Sequence, residues 1–252
     1  MAIYGIAQIK AIYGLRTQRG NMALQKDSEG FWINPGASMP GGWQGSYALE
    51  NARKLAYILQ NDYGWTIDAI SAWFSAISYE SAFDPSKIEG NLLSPTKNSG
   101  VGYVQWTPSD NLISFCNEWG VDWRLTSSQC RKWELERTTT DSNIKQWFIM
   151  SPYIDLYSQY FSRAPCQTMD DFTHATLSQY SMLELCAMIP EFYTRPASWA
   201  NVDNWRRNEA AGNYWYTQLT GENPPQPPGT GPGPGPITTH KKVFMYLGRR
   251  KL

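Results

Sequence analysis

The residues whose types and spacing could do chemistry lie between Glu80 and Trp106. Glu80 ends the run Ile67-Asp-Ala-Ile-Ser-Ala-Trp-Phe-Ser-Ala-Ile-Ser-Tyr-Glu80, in which apolar residues at 67, 70, 73, 74 and 77 recur at helical spacing. Three residues beyond Ile77 the stripe lands on Glu80, so a carboxylate takes the place of the next core residue. Burial on an apolar face disfavours the charged form and raises a carboxyl pKa. A carboxylic acid kept protonated near neutral pH is what a glycosidase uses to protonate a leaving oxygen. The plain alternative is a Glu at the rim of the core that reaches water. Glu89 is a candidate second carboxylate, which would stabilise an oxocarbenium-like transition state or position a water according to its distance from Glu80. Its plain alternative is a solvated loop carboxylate. Asp84 is nearer to Glu80, but beside Pro85 it reads as a turn-shaping residue.

Several elements must position these groups. Thr66 is a suitable N-cap and Asp68 suits the first turn of the Glu80 helix, while Pro85 disfavours helical geometry at Asp84 and places the helix end near there. Ser46 to Gln60 has helical spacing, and Asn61-Asp-Tyr-Gly64 breaks it, so the two helices form a hairpin. A polar loop from Ser86 to Gly100 leads into Val101-Gly-Tyr-Val-Gln-Trp-Thr-Pro108, which is β-prone, glycine-punctuated and bounded by Gly100 and Pro108. It reads as a small hairpin strand. Helical patterns resume over 109–119, mostly over 127–160, over 170–193 and over 202–219. The composition then changes to a Pro/Gly-rich linker, followed by a short basic-aromatic stretch. Four segments result: 1–45 as an arm or docking segment, 46–220 as the main domain, 221–237 as linker and 238–252 as tail.

The chain has 252 residues, formal net charge zero, 17% charged residues and 42% hydrophobic residues. It can build a substantial core, and nothing in its charge argues for a nucleic-acid partner. Twelve Trp and 15 Tyr exceed ordinary needs; some fill the core, and such a surplus also suits sugar-binding clefts. Cys116, Cys130, Cys166 and Cys186 form no C-x-x-C pair, and the histidines are His174 and His240. A Cys/His zinc site is disfavoured, so no metal or other cofactor is expected. Buried free thiols are expected, with one bridge open to an extracellular protein. Neither histidine lies in a nucleophile motif, which argues against serine or cysteine catalysis and against zinc amidases. No secretory signal or transmembrane run is evident.

The order helix ending in Glu, polar loop, glycine-rich hairpin, then helices predicts an α+β, mostly α, lysozyme-like fold with a small β-hairpin beside the catalytic helix. The particular residues resemble the phage tail lysozyme domain family. They are Gly64-Trp65, Ile70, Ser78-Tyr-Glu80-Ser81, Asp84-Pro85 and Gly102-Tyr-Val-Gln-Trp-Thr-Pro108, with Glu191-Phe-Tyr-Thr-Arg-Pro196, Arg207 and Tyr214-Trp-Tyr216 further on. The resemblance covers about residues 46 to 220. Ser75-Ala76 departs from the Gly-Asn that the family often carries before the Glu.

The resemblance implies hydrolysis of the β-1,4 bond between N-acetylmuramic acid and N-acetylglucosamine in peptidoglycan, by a protein in the phage tail that opens the wall for genome entry. It implies Glu80 as general acid, and Tyr103, Gln105 and Trp106 as cleft residues, with Trp106 equally suited to plug the space between hairpin and helices. Other tail proteins, contacted through the N-terminal arm and C-terminal tail, are the expected partners besides peptidoglycan. The protein would be made in the host cytoplasm and act at the host wall. A free endolysin, a lytic transglycosylase of the same fold and a non-catalytic tail or wall-binding protein are the alternatives.

Overall fold

The computed structural model describes residues 23–141, 144–149, 153–194 and 202–225. The central element is the Glu80 helix. In chain order, β1 (Gln25–Lys26) and β2 (Trp32–Ile33) pair antiparallel. They are followed by α1 (Ser46–Asn61), α2 (Ile67–Glu80), α3 (Asp110–Glu118) and α4 (Thr126–Thr138). The short helices α5 (Tyr153–Tyr160), α6 (Met169–Thr173) and α7 (Met182–Met188) come next. The chain winds directly from α7 into a π-helical turn, Ile189–Thr194, and α8 (Val202–Thr220) closes the body. The fold is α+β and mostly α.

Every residue of α2 from Ala69 to Ser78 is buried. A helix covered on all sides must be the core of its domain. Thr66 caps it as expected, its hydroxyl accepting the Ala69 N–H at 3.1 Å and donating to the Ala175 carbonyl at 2.6 Å. Helix α8 lies along α2: Trp215 donates its indole N–H to Ser78 Oγ at 2.7 Å and packs on Phe74 and Phe83. Helix α7 packs beside them. A Cβ on Gly212 of α8 would come within 2.8 Å of Met182 Sδ and 2.9 Å of Cys186 Sγ, so this helix pair approaches too closely for any side chain there. Trp73 sits at the centre of a ring cluster with Trp65, Trp133, Phe172 and Tyr193, at centroid distances of 4.7–5.8 Å. Truncating a core aromatic of this kind costs about 3–5 kcal/mol.

Two expectations are modified and one is sharpened. Helix α2 ends at Glu80, as the apolar run does, four residues before Asp84. Ala82 and Phe83 adopt φ of 51° and 63°, which turns the chain sharply. The Phe83 ring enters the core 4.6 Å from Trp215, and its carbonyl accepts from the buried amide of Asn51 at 2.8 Å. These tertiary contacts outweigh the last helical turn, since left-handed geometry costs a non-glycine residue about 1–2 kcal/mol.

Residues 24–45, read as part of an arm, pack on the domain. Phe31 and Met39 are core residues, the Asn34 N–H donates to Asp84, and the Trp32 N–H donates to Asn51. The arm's first 22 residues and the tail lie outside the described residues, as does most of the linker. The paired strands β1 and β2 belong to this N-terminal segment, not to the segment after the loop.

The aromatic surplus is mostly structural, since eight of the twelve tryptophans are in the core. All four cysteines are buried free thiols. Among the described residues no helix is long and apolar enough to cross a membrane.

Candidate active site

A cleft of about 630 Å³ opens at the C-terminal end of α2. Glu80 lines one side. Lys87, Glu89, Gly90 and Asn98 come from the loop, and Val104, Gln105, Trp106, Thr107 and Asn111 from the following turn and the start of α3. Gln146, Tyr193 and Thr194 complete the lining.

The carboxyl of Glu80 is pushed up to about 7 from its ordinary 4.5. Burial at the end of an apolar helix is the main cause, the negative charge of Glu89 adds to it, and the Arg207 guanidinium opposes it. The negative end of the α2 dipole acts in the same direction as burial. Glu80 therefore stays mostly protonated up to about pH 7.

Glu89 is exposed, but it is not free to swing. One carboxylate oxygen accepts the Gly100 N–H at 2.9 Å, and its own N–H donates to the Gly100 carbonyl at 2.9 Å. The cleft thus presents two carboxyl groups in contrasting environments, one half-buried at the end of an apolar helix and one exposed and hydrogen-bonded. That contrast is the usual division between an acid and a group that stabilises charge or positions water.

The segment expected as a hairpin forms a tight reversal. Val101 and Trp106 exchange backbone hydrogen bonds of 3.2 and 2.9 Å, and Val101 also bridges Ile88. These are single bridges rather than a ladder, because the reversal holds too few residues to propagate one. Gly102 turns the chain at φ +75°, and a Cβ there would lie 2.6 Å from Gln129 Oε1. Gln105, at φ 52°, lines the cleft with its amide directed back to the Gly102 carbonyl at 2.8 Å.

Trp106 both lines the cleft and is buried, its ring stacked on Trp133 at 5.6 Å, so the cleft and plug readings describe one ring. Tyr103 is a correction. It is fully buried, stacks on Trp133 from the core side and hydrogen-bonds Thr126 at 2.8 Å, so it does not line the cleft. Val101 and Trp106 pair across the reversal, and this directs the Tyr103 ring inward. Asp84 is also buried, accepting from the Asn34 and Ser86 N–H groups and from Ser86 Oγ at 2.7–3.0 Å. It shapes the turn.

Beneath the cleft lies a group that sequence reasoning passes over. Glu136 is buried in α4 and accepts from Tyr193 Oη at 2.5 Å, from Trp106 Nε1 at 3.4 Å, and from Lys132 Nζ at 3.1 Å. Burial pushes its carboxyl up, and these three partners oppose the shift. Two cleft side chains are thus tied to one buried carboxylate. A Lys–Glu pair four apart ordinarily reads as a solvated helix face, so only Trp133 between them hints at burial. Tyr193 and Thr194 reach the cleft because α7 continues into the π-helical turn, a feature frequent at functional sites.

Among the described residues no cluster of three or more His, Cys, Asp or Glu could hold a metal ion. The arrangement is suited to proton transfer by carboxyl groups at a polar cleft with an aromatic floor. The profile of the phage tail lysozyme family matches residues 50–219, which span both carboxylates, the reversal and the closing helices. The match takes in α2, the cleft walls and α8 together and covers well over half of the chain, and the protein therefore belongs to the phage tail lysozyme family.

Proposed function

We propose that the protein is a muramidase that hydrolyses the β-1,4 bond between N-acetylmuramic acid and N-acetylglucosamine, with Glu80 as general acid. The observation that carries this reading is a half-buried carboxyl group at the C-terminal end of an apolar helix, facing a cleft, where burial pushes it up to about 7. The protonated Glu80 donates to the glycosidic oxygen as the bond breaks, and the leaving sugar departs as a neutral alcohol. Positive charge then develops at the anomeric carbon, where Glu89 stabilises it or orients the attacking water. Gln105 and Trp106 supply a polar edge and an apolar floor for the sugar rings. Family membership supports placing this activity in the tail of a virion, where local opening of the wall assists genome entry. The N-terminal arm within residues 1–45 and the C-terminal tail, 238–252, would contact other tail proteins.

The test digests purified peptidoglycan with wild type and with Glu80→Gln and reads the muropeptides by mass spectrometry. Reducing-end sugars from wild type and none from the variant are expected. Anhydro-muramic products would move the protein to the lytic transglycosylases. Equal products from both proteins would remove Glu80 from the mechanism, and no products from either would favour a non-catalytic wall-binding role.

A further inference from the structure

Among the described residues, Lys87 and Arg207 stand near the Glu80 end of α2, and their engagements differ. Lys87 Nζ is engaged by the Asn91 amide oxygen and by the Ala37 carbonyl at 3.5 Å. Arg207, on the exposed face of α8, forms no ion pair with any described carboxylate. Its guanidinium lies 4.2 Å from the centre of the Tyr79 ring.

Tyr79 immediately precedes Glu80 and remains 39% exposed. It is braced from behind. Its hydroxyl donates to the Arg207 carbonyl at 3.4 Å, and Trp43 meets its ring edge-on at 6.0 Å. Trp43 in turn rests on Tyr214 and Trp215. An arginine held over a braced ring is pre-organised, so it loses less side-chain freedom when it forms a bidentate pair with an anion.

Its position decides which anion. The charge of Arg207 is felt by Glu80, yet Arg207 is not among the residues that line the cleft. It stands beside the sugar site rather than within it. A carboxylate hanging from a sugar bound in the cleft fits that place. Peptidoglycan offers such groups in the free carboxylates of the stem peptide, and in the lactyl carboxylate where the peptide has been removed. Polymers of N-acetylglucosamine offer none.

We propose that Arg207, held on Tyr79 beside the acid, recognises a carboxylate pendant from the glycan and makes the site selective for muramyl glycans over neutral ones. This rests on the muramidase reading for its substrate class, but it is tested by binding alone.

The experiment measures calorimetric affinities in a Glu80→Gln background, which prevents turnover, with Arg207 intact, Arg207→Gln or Arg207→Lys. The probes are a peptide-bearing muramyl tetrasaccharide, the same glycan stripped to its lactyl carboxylates, and chitotetraose. Arg207→Gln should weaken binding of a carboxylate-bearing probe by about tenfold or more, as expected for loss of a charged hydrogen-bonded pair. Affinity for chitotetraose should hold within about twofold, and Arg207→Lys should fall between, because it keeps the charge and loses the fork. Weakening with the peptide-bearing probe alone assigns the stem peptide, and weakening with the stripped glycan alone assigns the lactyl group. Unchanged affinity for both acidic probes, or equal weakening for all three, overturns the proposal. If wild type cleaves peptidoglycan while Arg207→Gln changes no affinity, the proposal fails and the muramidase reading stands. If charge-selective binding is found without cleavage, the reverse holds.

Discussion

Replacing Glu80 by Gln should stabilise the protein at alkaline pH while abolishing its activity. The carboxyl titrates at about 7 in the folded chain against 4.5 when solvated. Below 4.5 both the folded and the unfolded chain are protonated there, and the group costs nothing. Between 4.5 and 7 the unfolded chain releases its proton while the folded chain retains it, so stability falls as pH rises. Above about 7 both are ionised and the loss is complete. The gap of about 2.5 pH units corresponds to about 3 kcal/mol at 1.36 kcal/mol per unit. Cleft water reaches the carboxyl and screens it, so this figure is an upper bound. Gln is neutral throughout. The variant should therefore match wild type at pH 4 and exceed it at pH 8 by up to about 3 kcal/mol. Urea unfolding of both proteins at the two pH values measures the difference, and contributions from carboxylates that do not interact with Glu80 cancel. A stability difference of the same size at both pH values would refute the claim that burial raises Glu80. The same substitution should lower turnover by about 10²–10⁴-fold, the ordinary contribution of a general acid.

The remaining expectations concern the surroundings of that acid. Activity of wild type should fall about tenfold per pH unit above about 7, as Glu80 loses the proton it must donate. Glu89→Gln removes a negative charge that raises Glu80, so the alkaline limb should move to lower pH; a pH–rate series on both proteins checks this, and an unmoved limb contradicts it. Glu136→Ala leaves Lys132 buried without its counter-ion and should cost about 3–5 kcal/mol in denaturant unfolding. The paired change Lys132→Met with Glu136→Leu should cost much less, and equal losses would argue against a buried ion pair. Gly102→Ala meets both a left-handed backbone and Gln129 and should lose more than about 1 kcal/mol by thermal unfolding.

The place of Glu80 at the end of an apolar stripe was legible in the sequence because a helix repeats every 3.6 residues. A Glu in register with Ile70, Trp73, Phe74 and Ile77 must approach the core, and the desolvation that follows is the main cause of its raised pKa. The helices α1, α2, α3 and α8 were legible for the same reason, as was the N-cap at Thr66. Sequence could not decide which way rings point in a short irregular segment. Tyr103 and Trp106 read alike, yet the reversal buries the first and brings the second to the cleft. Nor could it separate a solvated Lys–Glu pair from Lys132 and Glu136, since local spacing is the same on either face of a helix. The end of α2 at Glu80 rather than near Asp84 was set by Phe83 docking on Trp215, a contact between residues 132 positions apart. Periodicity reports which residues share a face, but the partner of that face is chosen by packing between distant segments. The local pattern therefore determined where Glu80 sits and the helix that carries it. Only the assembled core decided the opposing wall, the buried anchor beneath it and the arginine held on Tyr79 beside it.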